Sequence, residues 1–325
     1  MERNLNTNQT RQHGRISLLT IVFMLIAILA AGYYYIDHKA DIRAQDIMSK
    51  FVEQARADGV ELHYQDIDAS PLFRRVSISD FEIKGNEQEP DIQLKNIQIT
   101  GFGFNALEDE TSTLPLSMNV AIEQGSLHLK PTMVEADTDL QALVETFDEY
   151  LQFSTHFSYE LDTETGELTL STTATVVDNF YSSTELSFGG ANWLAELDAQ
   201  LPEQAAPDMM STTLNTLTIA FENYGIIEKV RSVAMKKTGK SKQQLTQDSI
   251  NQLNQLKLIA EKNWGNLFIP MIDELIKFSA DPQRLKLSIH PEKPLGATIF
   301  MSAFMSGDAG LLNLIKQARI EIKAN

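Results

Sequence analysis

The stretch from Asp58 to Gly85 reads DGVELHYQDIDASPLFRRVSISDFEIKG and predicts two strands joined by a turn at Ser70-Pro71. Apolar and polar residues alternate along both halves, which is typical of strands with one buried face and one wet face. The alternation slips by one position between Ile78 and Phe81, and this slip predicts a β-bulge near Asp80.

The same alternation continues along the chain. A second slip separates the pair Ile92 and Leu94 from the pair Ile97 and Ile99. The longest clean alternation consists of five apolar residues whose side chains we expect on one side of the sheet: Leu114, Leu116, Met118, Val120 and Ile122. We take these five as a candidate apolar ligand face on an antiparallel sheet.

Helical periodicity interrupts the strands. Residues 140–151 predict one amphipathic helix, with Leu140, Leu143, Val144, Phe147 and Leu151 on its apolar face. Residues 224–280 predict three helices: the first stops at Gly239, the second begins with a capping box of Ser241 and Gln244, and the third contains Pro270 in its first turn or at a kink.

The C-terminal part returns to strands. ATIFMSAF, from Ala297 to Phe304, is predicted as a strand, Asp308 as the cap of a last helix, and Ile320 with Ile322 as a terminal strand. The resulting fold class is α+β, an antiparallel β-sheet with a helical hairpin packed on it.

An uncharged run from Ile16 to Ile36 is long enough to cross the hydrocarbon core of a bilayer, roughly 30 Å. The preceding tail carries three arginines and one acid, so the positive-inside bias places the N-terminus in the cytoplasm. In a Gram-negative host the remainder would be periplasmic, anchored to the inner membrane. A cleaved signal peptide ending near Ala30-Ala31-Gly32 is the alternative.

These features divide the chain into five parts. The predicted boundaries are a cytoplasmic tail over 1–15, the transmembrane anchor over 16–36, a juxtamembrane helix over 37–58, a β-rich exported region over 59–223, and a helical hairpin with C-terminal strands of the same domain over 224–325.

Bulk composition excludes several classes of protein. The net charge of −17 argues against nucleic acid as a partner, because phosphates require a basic surface. The chain has no cysteine, so disulfides, thiolate nucleophiles and Cys-ligated zinc are impossible.

A run of basic residues follows a long segment without any. No Lys or Arg occurs from Pro131 to Glu228, and then six appear together: Lys229, Arg231, Lys236, Lys237, Lys240 and Lys242. They form a candidate basic patch for an anionic headgroup or an acidic partner. The alternative is a solvated helix face and its loop.

A search for catalytic or cofactor motifs returns only weak patterns. GFGF at Gly101 lacks the third glycine of a dinucleotide loop, and DTETGE from Asp162 lacks most of a calcium loop. Asp66 and Asp68 lie on one strand face as an acid–base pair would. The histidines show no helical i,i+4 spacing. We therefore expect no enzyme, cofactor or metal site.

The anchor followed by GVELHYQDIDASPLFRRVSISDFEI resembles the start of AsmA-like inner-membrane proteins, at Gly59, Val60, Leu62, Ile67, Val76, Ile78, Phe81 and Ile83. The second half resembles small anchored bacterial envelope proteins of unknown function. It does so at ENYGII from Glu222, KTGKSKQQL from Lys237 and LKLSIHPEKPLG from Leu285. The first resemblance implies a curved β groove that binds or conducts lipids.

We therefore expect a membrane-anchored binding or scaffolding module that shields a lipid or another hydrophobic ligand in envelope maintenance. The alternative is an interaction protein for an envelope partner, whose sheet face is fully covered by the helices at 140–151 and 225–278; a hydrolase is the weakest expectation.

Overall fold

The computed structural model describes residues 40–57, 60–70, 74–84, 91–101, 115–129, 138–147, 150–195 and 210–325. Within them, twelve strands form one sheet. The strands are β1 (Glu61–His63), β2 (Asp66–Ser70), β3 (Arg75–Lys84), β4 (Asp91–Thr100), β5 (Ser117–His128), β6 (Tyr150–Asp162), β7 (Glu167–Val176), β8 (Phe180–Gly189), β9 (Thr213–Asn223), β10 (Arg284–Ile289), β11 (Leu295–Gly296) and β12 (Ile320–Ala324).

The described helices flank the sheet at several points of the chain. They are α1 (Ala40–Ala57), α2 (Thr138–Val144), α3 (Ile226–Thr238), α4 (Lys242–Trp264), α5 (Ile269–Ala280), α6 (Ala297–Met305) and α7 (Gly307–Ala318), with short 3₁₀ turns at Asn192–Leu194 and Gly265–Leu267. The α+β class predicted from the periodicity is confirmed.

Every strand pairing is antiparallel, and the order across the sheet is β1-β3-β4-β5-β6-β7-β8-β9-β10-β12. β2 also pairs with β3, from Asp66 opposite Ser79 to Ser70 opposite Arg75, so the predicted opening hairpin is present. The strands β9, β10 and β12 carry the same sheet past the helical excursion of α3, α4 and α5.

The slip near Asp80 is a break in the pleat and not the bulge that the sequence predicts. Asp80 has φ +47° and Gln124 on β5 has φ +55°, yet the register of β3 with β4 and of β4 with β5 is unchanged across these positions. The alternation of side chains therefore changes phase at paired positions of neighbouring strands, and the apolar side chains stay on one face. The register shift itself lies between β5 and β6, after Ile122.

The buried core lies on β1 to β5. Ile78, Phe81, Ile97 and Ile99 are almost completely buried. They belong to one cluster that includes Met48 and Ala55 of α1, with side chains of β6 packed against it. Burying each such side chain stabilises the fold by about 1.5–3 kcal/mol.

Three helix signals read from the sequence are confirmed. Gly239 ends α3 in a left-handed conformation, with φ +69°. Ser241 caps α4, where its hydroxyl accepts from the Gln244 N–H and the Gln244 side chain accepts from the Ser241 N–H. Pro270 lies in the first turn of α5, where its missing N–H costs no hydrogen bond.

Three further local predictions are wrong. ATIFMSAF is the helix α6 and not a strand, because an unbroken apolar run fits either structure and only its packing decides. Leu151 lies on β6 opposite Leu127, so the helix expected to reach it ends at Val144. Ser306, not Asp308, is the N-cap of α7.

The predicted juxtamembrane helix corresponds to α1, whereas the span from Ile16 to Ile36 lies outside the described residues. Among the helices that the structure does describe, none is both long enough and apolar enough to cross a bilayer.

Candidate functional site

One face of the sheet carries apolar side chains in register across β2 to β10 and β12; we call it the apolar face. Residues directly opposite each other in an antiparallel pair point to the same side, so pairings can be followed from strand to strand. One row consists of Ala69, Val76, Ile99, Val120, Phe157, Thr172, Thr184, Ile219, Leu287 and Ile322.

A second row runs beside the first on the same face. It consists of Ile67, Ile78, Ile97, Ile122, Thr155, Ala174, Ser182, Phe221, Leu285 and Ala324. Both rows are rich in Ile on β3 to β5 and contain Ile, Leu and Phe on β9 and β10. Between these strands the rows contain Thr, Ser and Ala.

Burial changes along the two rows. On β4 and β5 their residues Ile99, Val120, Ile97 and Ile122 are buried. From β6 onward no residue of either row is buried, and Ile219 is 37% exposed. Among the described residues, the apolar face is therefore closed over β4 and β5 and partly exposed over β6 to β9, which we call its open part.

The described helices that contact this face lie at its two ends. α1 packs against β1 and β2, where Met48 enters the core cluster. At the far end α5 packs against β12, and the ring of Phe278 on α5 meets Phe221 edge-on at 6.2 Å between centroids. This arrangement combines the two alternatives drawn from the sequence, because part of the sheet is covered and part is open.

The five residues predicted as an apolar ligand face do not lie in one environment. Met118, Val120 and Ile122 are buried in the core cluster. Leu116 precedes β5 and is 45% exposed, so it does not share their burial; Leu114 lies outside the described residues. Sequence alternation found these strands but missed the open part of the face on β6 to β9, because strand pairing has no local signal.

The six residues of the candidate basic patch serve several separate contacts. Lys229 donates to the Oδ1 atom of buried Asn179 at 2.9 Å and lies 4.7 Å from the centroid of the Phe147 ring. Arg231 donates to the carbonyl oxygen of Ser279 at 2.7 Å. These two cations hold α3 against its neighbours and are not presented as a surface for an anionic partner.

The remaining residues of the patch lie on the exposed surface of α3, α4 and their connection. Lys240 pairs with Asp248 at 2.8 Å and Lys242 approaches Glu228 at 4.0 Å, while Lys236 and Lys237 are exposed. The geometry favours the solvated helix face over a single anion site.

The structure places the two aspartates of the candidate acid–base pair on the exposed side of β2. Asp66 and Asp68 are both exposed; Asp66 accepts from the Ile67 N–H at 2.9 Å and Asp68 pairs with Arg75 at 3.5 Å. Each of the two carboxylates thus has its own hydrogen-bond or ion-pair partner.

DTETGE forms the turn between β6 and β7. The carboxylate of Asp162 accepts from the Glu164 and Thr165 N–H groups and from the Thr165 hydroxyl. These bonds, the Thr165 hydroxyl first, lower the pKa of Asp162. Of GFGF, the structure describes Gly101 with φ +97°, and the three residues after it lie outside the described part.

The described histidines are dispersed. His63 pairs with Glu61, and His128 contacts Asp91 at 3.4 Å and stacks on Tyr150. Over the described ranges, no three His, Asp or Glu side chains are grouped as a metal ion would require. The geometry thus leaves the open part of the apolar face as the candidate functional site.

Comparison with known proteins locates one region of similarity. A family model described as "Uncharacterized protein" matches residues 173–325, which run from within β7 to the C-terminus. No curated protein matches the chain. The matched region includes β8 and β9 of the open face together with α3 to α7, and it excludes the buried strands β1 to β5.

Proposed function

We propose that the chain is a membrane-anchored envelope module that binds a lipid or another hydrophobic ligand on the open part of the apolar face. The observation that carries this proposal is the exposure of Thr172 and Ile219 in rows whose β4 and β5 members are buried. The described helices leave this apolar surface open, and a ligand that covers it would be bound favourably, by about 25 cal/mol for each Å² removed from water.

The chemistry of the open face suits an amphipathic ligand. Neighbouring strands are about 4.8 Å apart, so β6 to β9 offer a strip of roughly 14 Å across the strands. Leu170, Leu186 and Leu217 lie side by side on this strip. The hydroxyls of Thr172 and Thr184 lie beside it and are suited to the polar group of the same ligand.

The localisation part of the proposal rests on the uncharged span from Ile16 to Ile36 and the Arg-rich tail before it. Alkaline phosphatase, which is active only outside the cytoplasm, is fused after Asn325. We expect an active fusion that stays in the membrane after a carbonate wash. An inactive fusion would contradict the predicted export of residues 37–325, and release by carbonate would favour a cleaved signal peptide.

Ligand binding is tested on the full chain, purified in detergent and extracted with organic solvent for lipid mass spectrometry. Ile219→Glu places a charge on the open face. Ala220→Glu is the matched control, because Ala220 is the next residue on β9, faces the opposite side and pairs with Ser183 and Lys286. We expect lipid in the wild type and the control and its loss in Ile219→Glu. Equal lipid in all three proteins, or none in any, would refute the proposed face.

A further inference from the structure

The ends of the strands form two opposite rows, one at each end of the strand direction. We call each row of strand ends, with its loops, an edge. We call the edge at Ser70, Thr100, Asp162 and Gly189 the Ser70 edge; the strands β2, β4, β6 and β8 end there. The opposite edge, at Lys84, His128, Val176 and Asn223, is the Lys84 edge.

The helix α1 begins at the Ser70 edge. Its last turn lies at the Lys84 edge, because the Val60 N–H donates to the Ala55 carbonyl oxygen and β1 starts opposite Lys84. From there α1 packs back along β1 and β2. Its 18 residues extend about 27 Å, and the run from Glu61 to Ser70 extends about 33 Å. Ala40 is therefore at the Ser70 edge, four residues after the end of the uncharged run at Ile36.

The helix α6 projects apolar side chains at this same edge. β11 pairs with the first residues of β9, Thr213 and Leu214, and its Gly296 is the N-cap of α6. Met301, Phe304 and Met305 are spaced i, i+3, i+4 and are 55%, 70% and 86% exposed. Buried Ala303 lies on the other side of α6, where Gly310 of α7 approaches it.

Other features of the Ser70 edge have the same character. No charged residue occurs from Leu295 to Gly307, so contact with an apolar medium would dehydrate no charge in this segment. Leu116, just before β5, and Met210, just before β9, are also exposed large apolar residues at this edge.

We propose that the Ser70 edge docks on the surface of the bilayer that holds the anchor, with Met301, Phe304 and Met305 of α6 inserted at the headgroup level. This inference rests on the anchor of the proposed function, since α1, the first described helix after the uncharged run from Ile16 to Ile36, begins at that edge. Three side chains on a projecting helix bind a bilayer weakly by themselves. The anchor supplies the effective concentration that makes the contact persistent.

The absence of cysteine allows a direct test in the full chain. Met305→Cys is labelled with a polarity-sensitive dye, and the protein is reconstituted into phosphatidylcholine vesicles that contain a headgroup-level nitroxide quencher. Val177→Cys is the matched control, because Val177 is 52% exposed and follows β7 at the Lys84 edge. We expect a blue-shifted emission and loss of most fluorescence at position 305, and neither effect at 177.

Flotation of the vesicles separates the two proposals. If the protein floats but position 305 is not quenched, the docking edge is wrong and the anchor stands. If the protein does not float, the anchor is wrong and the docking inference falls with it. A blue shift at 305 that appears in detergent without vesicles and grows with protein concentration would instead assign the α6 face to a second copy. Adding Phe304→Asp to Met305→Cys should reduce the quenching without lowering Tm.

Discussion

At the scale of single residues, the contact between β5 and β6 depends on Gly125. Gly125 follows the register shift and lies opposite Phe153, whose ring covers it. A Cβ at Gly125 would lie 2.5 Å from the ring of Phe153, and Gly125 does not have a positive φ. Steric contact with an aromatic ring, and not backbone conformation, therefore requires glycine at this position.

Gly125→Ala should lower the free energy of unfolding by about 1–3 kcal/mol, because the ring must leave its place against the core cluster. In the Phe153→Leu background, where the ring is absent, Gly125→Ala should cost less free energy of unfolding than it does in the wild type. Thermal melts of the four proteins form a double-mutant cycle. Equal losses from Gly125→Ala in both backgrounds would show that the ring contact is not the cause.

Asn179 illustrates a residue that sequence periodicity does not detect. It is buried in the turn between β7 and β8, where its side chain donates to the Val177 carbonyl oxygen and accepts from Lys229. Its backbone carbonyl oxygen accepts from the N–H groups of Tyr224 and Ile226. One short turn thus ties the β7–β8 hairpin to the start of α3.

At the scale of elements, the turn between β6 and β7 depends on the ionised carboxylate of Asp162. The bonds from Thr165 and Glu164 lower its pKa below the ordinary value of 3.8. A group with a depressed folded pKa contributes stability above its unfolded pKa and loses it as pH falls through the folded value. The contribution is therefore complete at neutral pH and is lost below about pH 4.

Asp162→Ala should lower Tm at pH 7, and the difference from wild type should shrink as pH falls below about 4. Glu164→Ala is the control, because the bond to Asp162 uses the backbone N–H of Glu164 and survives the change. Melting both variants and the wild type from pH 7 to pH 3 checks the sign. A difference that grew toward low pH would contradict the role of the ionised carboxylate.

At the scale of the whole molecule, a charge placed in the same row should have opposite consequences at two positions. Val120→Asp puts a carboxylate among buried Ile99 and Met118, at a cost of several kcal/mol against a typical stability of about 5–15. Ile219→Asp puts the same group at a solvent-exposed position of the row.

We expect Val120→Asp to unfold the sheet and Ile219→Asp to melt cooperatively within a few degrees of wild type. Both proteins are compared as full chains in the same detergent by circular dichroism. Leu116→Asp, at an exposed position, should resemble Ile219→Asp. Collapse of the Ile219 variant would mean that the middle of the apolar face is closed, and the proposed ligand site would then be wrong.

The sequence by itself determined the features whose causes are local. Period-two alternation located the opening hairpin and the strand of Met118, Val120 and Ile122, since successive side chains of a strand alternate between faces. Gly239 and the capping box of Ser241 and Gln244 fixed helix ends through backbone conformation and hydrogen bonds within four residues.

Only the tertiary structure decided the features that join distant parts of the chain. ATIFMSAF is the helix α6, which follows β11 and packs on α7, and its periodicity alone could not exclude a strand. Val120 and Ile219 alternate equally well in sequence, yet one is buried and the other exposed. The reason is physical: burial depends on which strands and helices lie alongside, and those neighbours are tens of residues away in the chain, as Met48 is from Val120 and Leu287 is from Ile219.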